Sequence, residues 1–155
     1  MKAVCFGTVV LFIASAIALA SPGAFSITIA AVDTEMKSGS EAKVDVTLTN
    51  RSDRAATIEF TSPLCDYVVE VRDQTGHLAP DSKVKAALNC ADRATGAHAI
   101  GQLKPGESVT NTIPISIFSD MSRPGRYSVQ IQWKAPKEFG EVVVKSNIIK
   151  IAVTP

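Results

Sequence analysis

Two histidines and one serine–lysine motif are the residues whose types could support nucleophilic catalysis. His77 and His98 are the only histidines, and such catalysis needs a base within hydrogen-bond reach of the nucleophile. Neither is accompanied by a G-x-S-x-G elbow or a cysteine active-site signature. Ser82 and Lys85 have the S-x-x-K spacing in which lysine can activate serine, but the partner motifs S-D-N and K-T-G are absent. The sequence therefore predicts no catalytic residues.

Metal-binding residues are also too scattered to indicate a site. A stable site usually needs three or four ligands at suitable spacing, and the sequence contains no H-x-x-x-H or C-x-x-C group. If Cys65 and Cys90 stayed reduced, they and one histidine could form a thiolate site. Solvent-exposed loop histidines are the simpler interpretation, so we predict no metal and no cofactor.

The N-terminus predicts export of the protein. Lys2 supplies a positive charge, an apolar run follows to Leu19, and residues 18–20 read Ala-Leu-Ala, which are the parts of a secretory signal peptide. A transmembrane anchor is the alternative, but it needs about 20 apolar residues. We therefore predict a signal peptide at residues 1–20, one domain at residues 21–155, no membrane span after cleavage, and a periplasmic or secreted location.

The cysteines agree with an oxidising compartment. Cleavage would remove Cys5 and leave Cys65 and Cys90, an even pair that predicts a disulfide in an exported protein. Closing a loop of about 25 residues would stabilise the fold by roughly 3 kcal/mol in the chain-entropy model. Two unpaired loop thiols are the alternative.

Charge argues against polyanionic partners. The chain has 16 basic and 15 acidic residues, a formal net charge of +1, and no run of like charge. Nucleic-acid binding would require clustered Lys and Arg, and adsorption to anionic membranes would require a similar cluster. We predict neither.

Alternation of apolar and polar residues predicts an all-β fold. It is cleanest at residues 44–49, where Val44, Val46 and Leu48 share one face, as in a half-buried strand. Pro105 and Gly106 suit a type II turn, and Pro114 favours a sheet edge or a bulge because it cannot donate to a ladder. About seven such strands predict an immunoglobulin-like antiparallel β-sandwich.

Four segments together resemble the BsuPI-type domain, a family named for a bacterial intracellular proteinase inhibitor. They are residues 46–50, residues 66–73 with Gly76, residues 103–107 and residues 124–127. The resemblance spans about residues 44–133 and implies an immunoglobulin-like sandwich. Asp120, Gly125 and Tyr127 also resemble the tyrosine corner of such sandwiches, in which the phenol bonds a backbone group near the preceding turn.

Two functions remain open from the sequence. The first is a secreted interaction module that binds an unidentified protein partner through an exposed sheet edge or the loop at residues 80–98. Pro114 and Lys145 could instead block such pairing. The second is a protease inhibitor of BsuPI-like type, with a loop held by Cys65 and Cys90. The family's inhibitor is cytosolic, and no inhibitory segment of it can be matched here.

Overall fold

A computed structural model describes residues 23–87 and 99–155, and strands dominate it. The predicted signal peptide lies outside the described residues. The described strands are β1 (Phe25–Ala31), β2 (Glu35–Lys37), β3 (Lys43–Asn50), β4 (Ala56–Phe60), β5 (Tyr67–Arg72), β6 (Ala99–Leu103), β7 (Ser108–Pro114), β8 (Gly125–Lys134), β9 (Val143–Lys145) and β10 (Ile149–Thr154). Two single-turn helices, α1 (Pro63–Asp66) and α2 (Lys83–Ala86), flank β5 and its following loop. None of the described helices is long or apolar enough to cross a bilayer.

Two sheets face each other across one core. The first has the order β1-β3-β7, and the second has the order β2-β10-β8-β5, with β9 also paired to β8. Val44, Val46 and Leu48 of β3 are buried against Val129 and Ile131 of β8 in the same hydrophobic cluster. The all-β sandwich predicted from alternation is confirmed. The described strands number ten rather than about seven because short pieces, including β2 and β9, pair separately.

Asn50 lies at the junction between the first sheet and a separate two-stranded sheet formed by β4 and β6. The antiparallel β3–β7 ladder ends at Thr49 opposite Ser108, and the β4–β6 ladder resumes with Ala56 opposite Leu103. Between them, the completely buried Asn50 side chain donates to the carbonyls of Arg54 and Leu103, both at 2.8 Å. Its Oδ1 accepts from Ser52. The amide thereby satisfies backbone groups that the interrupted ladder leaves without a strand partner.

Two segments with alternating apolar residues are not single strands. Alternation from Val109 to Phe118 predicts one extended run, but β7 stops at Pro114 and a 3₁₀ turn follows at Ile115–Ile117. The Ile115 N–H still bonds Ala42, but Phe118 then bonds back to Ile115, so a local turn replaces the ladder. The last predicted strand, residues 142–153, divides into β9 and β10 at the break expected there.

Candidate functional site

The ends of the two sheets are the places where this fold can pair with another chain. Edge strands expose backbone N–H and C=O groups, which are a template for an incoming strand. In the first sheet the edge strands are β1 and β7, and in the second sheet they are β2 and β5, while β4 and β6 form a separate two-stranded sheet. Of these strands β1, β5 and β7 are the longest, with seven, six and seven residues. What covers each of these three edges decides which one is open.

The β1 edge is interrupted in its middle by one side chain. The Val32 N–H bonds the Lys43 carbonyl across the β1–β3 ladder, so the backbone groups of Ile29, an odd number of residues away, face away from β3. The Asn147 amide occupies both of them. Its Oδ1 accepts from the Ile29 N–H at 2.8 Å, and its Nδ2 donates to the Ile29 carbonyl at 3.0 Å. Asn147 thus caps the middle of this edge.

The β5 edge is partly covered by the chain that follows it. Arg72 forms a bridge with Leu78, and the Val71 carbonyl accepts from the Ala79 N–H at 2.9 Å. The side chains of Val68 and Leu78 next to it are largely exposed. This turn leaves only the first part of β5 open toward solvent.

The β7 edge is the longest uncovered one in the described part of the chain. The Asn50 N–H bonds the Glu107 carbonyl and the Ile115 N–H bonds the Ala42 carbonyl, which fixes the odd-numbered residues of β7 as those facing β3. The N–H and C=O groups of Ser108, Thr110 and Thr112 therefore face outward. No described strand pairs with that side. The prediction that Pro114 marks a sheet edge is confirmed, and its ring lies at the far end of the strand.

Hydroxyl groups cover the outer face beside this edge. Thr110 hydrogen-bonds Thr47 at 2.8 Å between their Oγ1 atoms, and Ser108 hydrogen-bonds Thr49 at 2.7 Å. Thr112 donates to Asp45 at 2.6 Å. Strand β7 itself contains no Lys, Arg, Asp or Glu, so none of the long charged side chains that usually protect edges lies on it.

Tyr67, the first residue of β5, lies next to Asn111 on the inner side of β7, and its hydroxyl group is unsatisfied. Tyr67 is 5% exposed, and its Oη makes no hydrogen bond of ordinary geometry. Burial raises the pKa of the Tyr67 phenol, and the nearby Asn111 side chain opposes part of that shift. This position lies between the β5 and β7 edges. It is a polar group in the core rather than a reactive one, since no base accompanies it.

The S-x-x-K motif is a helix cap. Ser82 is the N-cap of α2, where its Oγ accepts from the Lys85 N–H at 3.0 Å and donates to the Ile117 carbonyl. The Lys85 ammonium pairs with Asp81 at 2.8 Å instead of approaching the serine. Because the Ser82 hydroxyl donates to a carbonyl and the Lys85 ammonium pairs with Asp81, the two side chains do not form a nucleophile–base pair.

Among the described residues, His77 is not part of a cluster of metal-ligating side chains either. His77 lies in the turn after β5, where its Nδ1 is 2.7 Å from the Thr75 hydroxyl. His98 lies outside the described residues. The described ranges contain no group of three or more His, Cys, Asp or Glu that could hold a metal ion.

Tyr127 makes the backbone hydrogen bond that a tyrosine corner requires. Its Oη donates to the Arg123 carbonyl at 2.8 Å, and burial raises the pKa of the phenol. Asp120 accepts from the Ser122 N–H at 2.9 Å. Hydrogen bonds from Ser122 hold the pKa of the Asp120 carboxyl below its usual value. Gly125, which lies between Asp120 and Tyr127 in the sequence, is the first residue of β8. The three predicted residues therefore lie around one turn, and their structural role as a tyrosine corner stays a prediction.

The predicted disulfide falls partly outside the described chain. Cys65 lies in α1, directly before β5, whereas Cys90 lies outside the described residues. The bridge between them stays a prediction. If it forms, it ties the segment that contains Cys90 to the start of β5.

Comparison with known proteins gives likeness of fold only. No family model and no curated protein matches the chain. A β-glucosidase from Listeria innocua is 17% identical, with a TM-score of 0.46 over 84% of this chain and 16% of that one. The sporulation control protein Spo0M from Bacillus subtilis is 10% identical, with a TM-score of 0.45 over 86% of this chain and 51% of that one. The chain thus spans little of the glucosidase and about half of Spo0M, and likeness at this level does not assign a function.

Proposed function

We propose that this protein is a non-enzymatic extracytoplasmic binding module that takes an extended segment of a protein partner onto the β7 edge. Strand addition gives affinity through main-chain hydrogen bonds and specificity through alternate side chains. The signal-peptide pattern at residues 1–20 is the reason for placing it outside the cytoplasm. The absence of an assembled catalytic or metal group among the described residues is consistent with a binding role.

The observation that carries the proposal is the difference between the three edges. Asn147 caps the middle of β1, and the turn at Leu78 covers part of β5, while β7 presents the backbone of Ser108, Thr110 and Thr112 without a strand partner among residues 23–87 and 99–155. Natural proteins usually blunt a free edge with charge, proline or a covering element. On β7 the only such device is Pro114, which lies at one end and leaves the preceding residues open.

The test removes one outward N–H and keeps the β3 ladder. Thr110→Pro deletes the N–H that faces the open edge, and proline is tolerated on edge strands when the lost N–H faces solvent. Thr110→Val is the matched control, because it removes the hydroxyl and keeps the N–H. Tagged wild-type protein and both variants are exposed to the extracytoplasmic fraction, and captured proteins are identified by mass spectrometry. We expect capture with wild type and Thr110→Val, and its loss with Thr110→Pro.

Equal capture by all three proteins would refute strand addition at β7, provided that circular dichroism shows the same fold in each.

A protease is one class of partner to test directly, because of the BsuPI-type resemblance. Thr110→Pro would weaken inhibition that depends on the β7 edge. It would leave intact an inhibitor that works through a loop, which is the second function predicted from sequence.

A further inference from the structure

We infer that the β7 edge also binds β7 of a second copy of this chain, antiparallel about a twofold axis at Thr110. This inference rests on the proposed function, since it names one strand that the same edge accepts. A twofold interface uses the same patch on both subunits and must be self-complementary. The residues of β7 meet that condition in one register.

The outward backbone groups fix the register. With Thr110 opposite its own copy, Ser108 lies opposite Thr112 of the second chain, and each of these pairs exchanges two bonds. The interface then contains about six main-chain hydrogen bonds. A shift of two residues in one direction would place the Pro114 ring against the facing Ser108 carbonyl. A shift in the other direction would place Thr112 opposite Gly106, whose N–H already bonds Asn50 in a turn with φ of +79°.

The outer face is complementary in the same register. The row formed by Thr28, Thr47 and Thr110 would meet the same row of the second chain. Cross-strand Thr–Thr and Thr–Ser pairs each contribute roughly 0.2–1 kcal/mol relative to alanine pairs. The hydroxyl ladder already present across β3 and β7 would thus continue into the partner.

Charge does not oppose the pairing. Strand β7 has no ionisable side chain, and the nearest carboxylate on the outer face, Asp45, lies in the row of Thr112. That row would meet the row of Ser108 and Thr49 from the second chain, in which no residue is charged. Like charges therefore do not face each other across the axis.

Cysteine cross-linking tests the register. In an antiparallel hydrogen-bonded pair the Cα atoms lie about 5.5 Å apart, within the range that a disulfide can bridge. Thr110→Cys should give a covalent dimer under mild oxidation. Thr28→Cys is the matched control, because Thr28 is an exposed outer-face threonine on β1, the capped edge. Wild-type protein gives the background from Cys65 and Cys90.

Sedimentation of the non-covalent protein completes the test. Strand pairing alone makes a smaller interface than the ~1,200 Å² at which stable complexes begin, so we expect concentration-dependent dimers rather than a permanent one. Wild type and Thr110→Val should associate as concentration rises, and Thr110→Pro should remain monomeric. Monomers in all three, with no excess cross-linking at position 110, would overturn the inference. In that case partner capture that is lost only in Thr110→Pro would still support the proposed function. If partner capture also does not depend on Thr110→Pro, the proposed function is refuted as well.

Discussion

Replacement of Asn50 by leucine is the sharpest test of how the first sheet is held. The substitution keeps the number and branching of the side-chain heavy atoms and removes its four hydrogen bonds, which join the end of β3 to Arg54, Leu103 and Ser52. It leaves the Leu103 carbonyl without that partner in a site that water does not reach, because Asn50 has no exposed surface and Leu103 is 7% exposed.

The magnitude follows from these contacts. A buried polar group left without a partner costs about 1–3 kcal/mol, and each of the other bonds is worth about 0.5–1.5 kcal/mol net. Water can reach the partly buried Ser52 and Arg54 groups, so we expect a total loss of about 3–5 kcal/mol for Asn50→Leu. That is a large fraction of the 5–15 kcal/mol by which domains are typically stable. It exceeds the loss of about 1 kcal/mol expected for Ser52→Ala.

Urea denaturation followed by far-UV circular dichroism measures both variants against wild type. We expect a strongly lowered midpoint for Asn50→Leu and a small change for Ser52→Ala. If the free energy of unfolding of Asn50→Leu lies within about 1 kcal/mol of the wild-type value, the Asn50 amide does not stabilise this junction as argued. The same burial also predicts that the Asn50-Arg51-Ser52 sequon stays unglycosylated in the folded protein.

Three further predictions address the phenols and the cysteines. Tyr127→Phe should lose about 1 kcal/mol, the net value of its bond to Arg123, and an unchanged melting temperature would contradict that bond. Because burial raises the pKa of Tyr67 above the ordinary 10.0, the folded state retains a proton that the unfolded chain loses, so stability should fall as pH rises above about 10. Tyr67→Phe should weaken this alkaline slope without destabilising the protein at neutral pH, and an equal slope in both would refute the assignment. The Cys65→Ser, Cys90→Ser double variant should fold but melt lower, whereas two free thiols in non-reducing mass analysis would exclude the bridge.

Local signals in the sequence predict much of the fold. The alternation of residues 44–49, the turn with Pro105 and Gly106, and the edge position of Pro114 all depend on the period of a strand or on the chemistry of one residue. The extended conformation predicted from alternation is wrong at residues 115–117. Once the β3–β7 ladder ends, apolar residues at every second position are also compatible with a 3₁₀ turn. Strand β2 has three residues and exists through parallel pairing with β10, more than 100 positions away, which no local pattern reveals.

The candidate site could be predicted only in part, because it too depends on contacts between distant parts of the sequence. Pro114 indicates an edge, but the choice of β7 over β1 depends on Asn147, whose amide reaches Ile29 over 118 positions of sequence. Nothing in the residues around Asn147 distinguishes an edge cap from a turn asparagine.

The contrast between these two edges also argues that the open one is retained for a purpose. Neither β1 nor β7 contains a charged residue, so both carry a risk of unwanted pairing. The Asn147 side chain interrupts the outward side of β1 by occupying both backbone groups of Ile29. A comparable asparagine beside Thr110 would interrupt β7 in the same way. On β7 the outward backbone groups of Ser108, Thr110 and Thr112 have no strand partner among the described residues, which is the condition that the proposed strand addition requires.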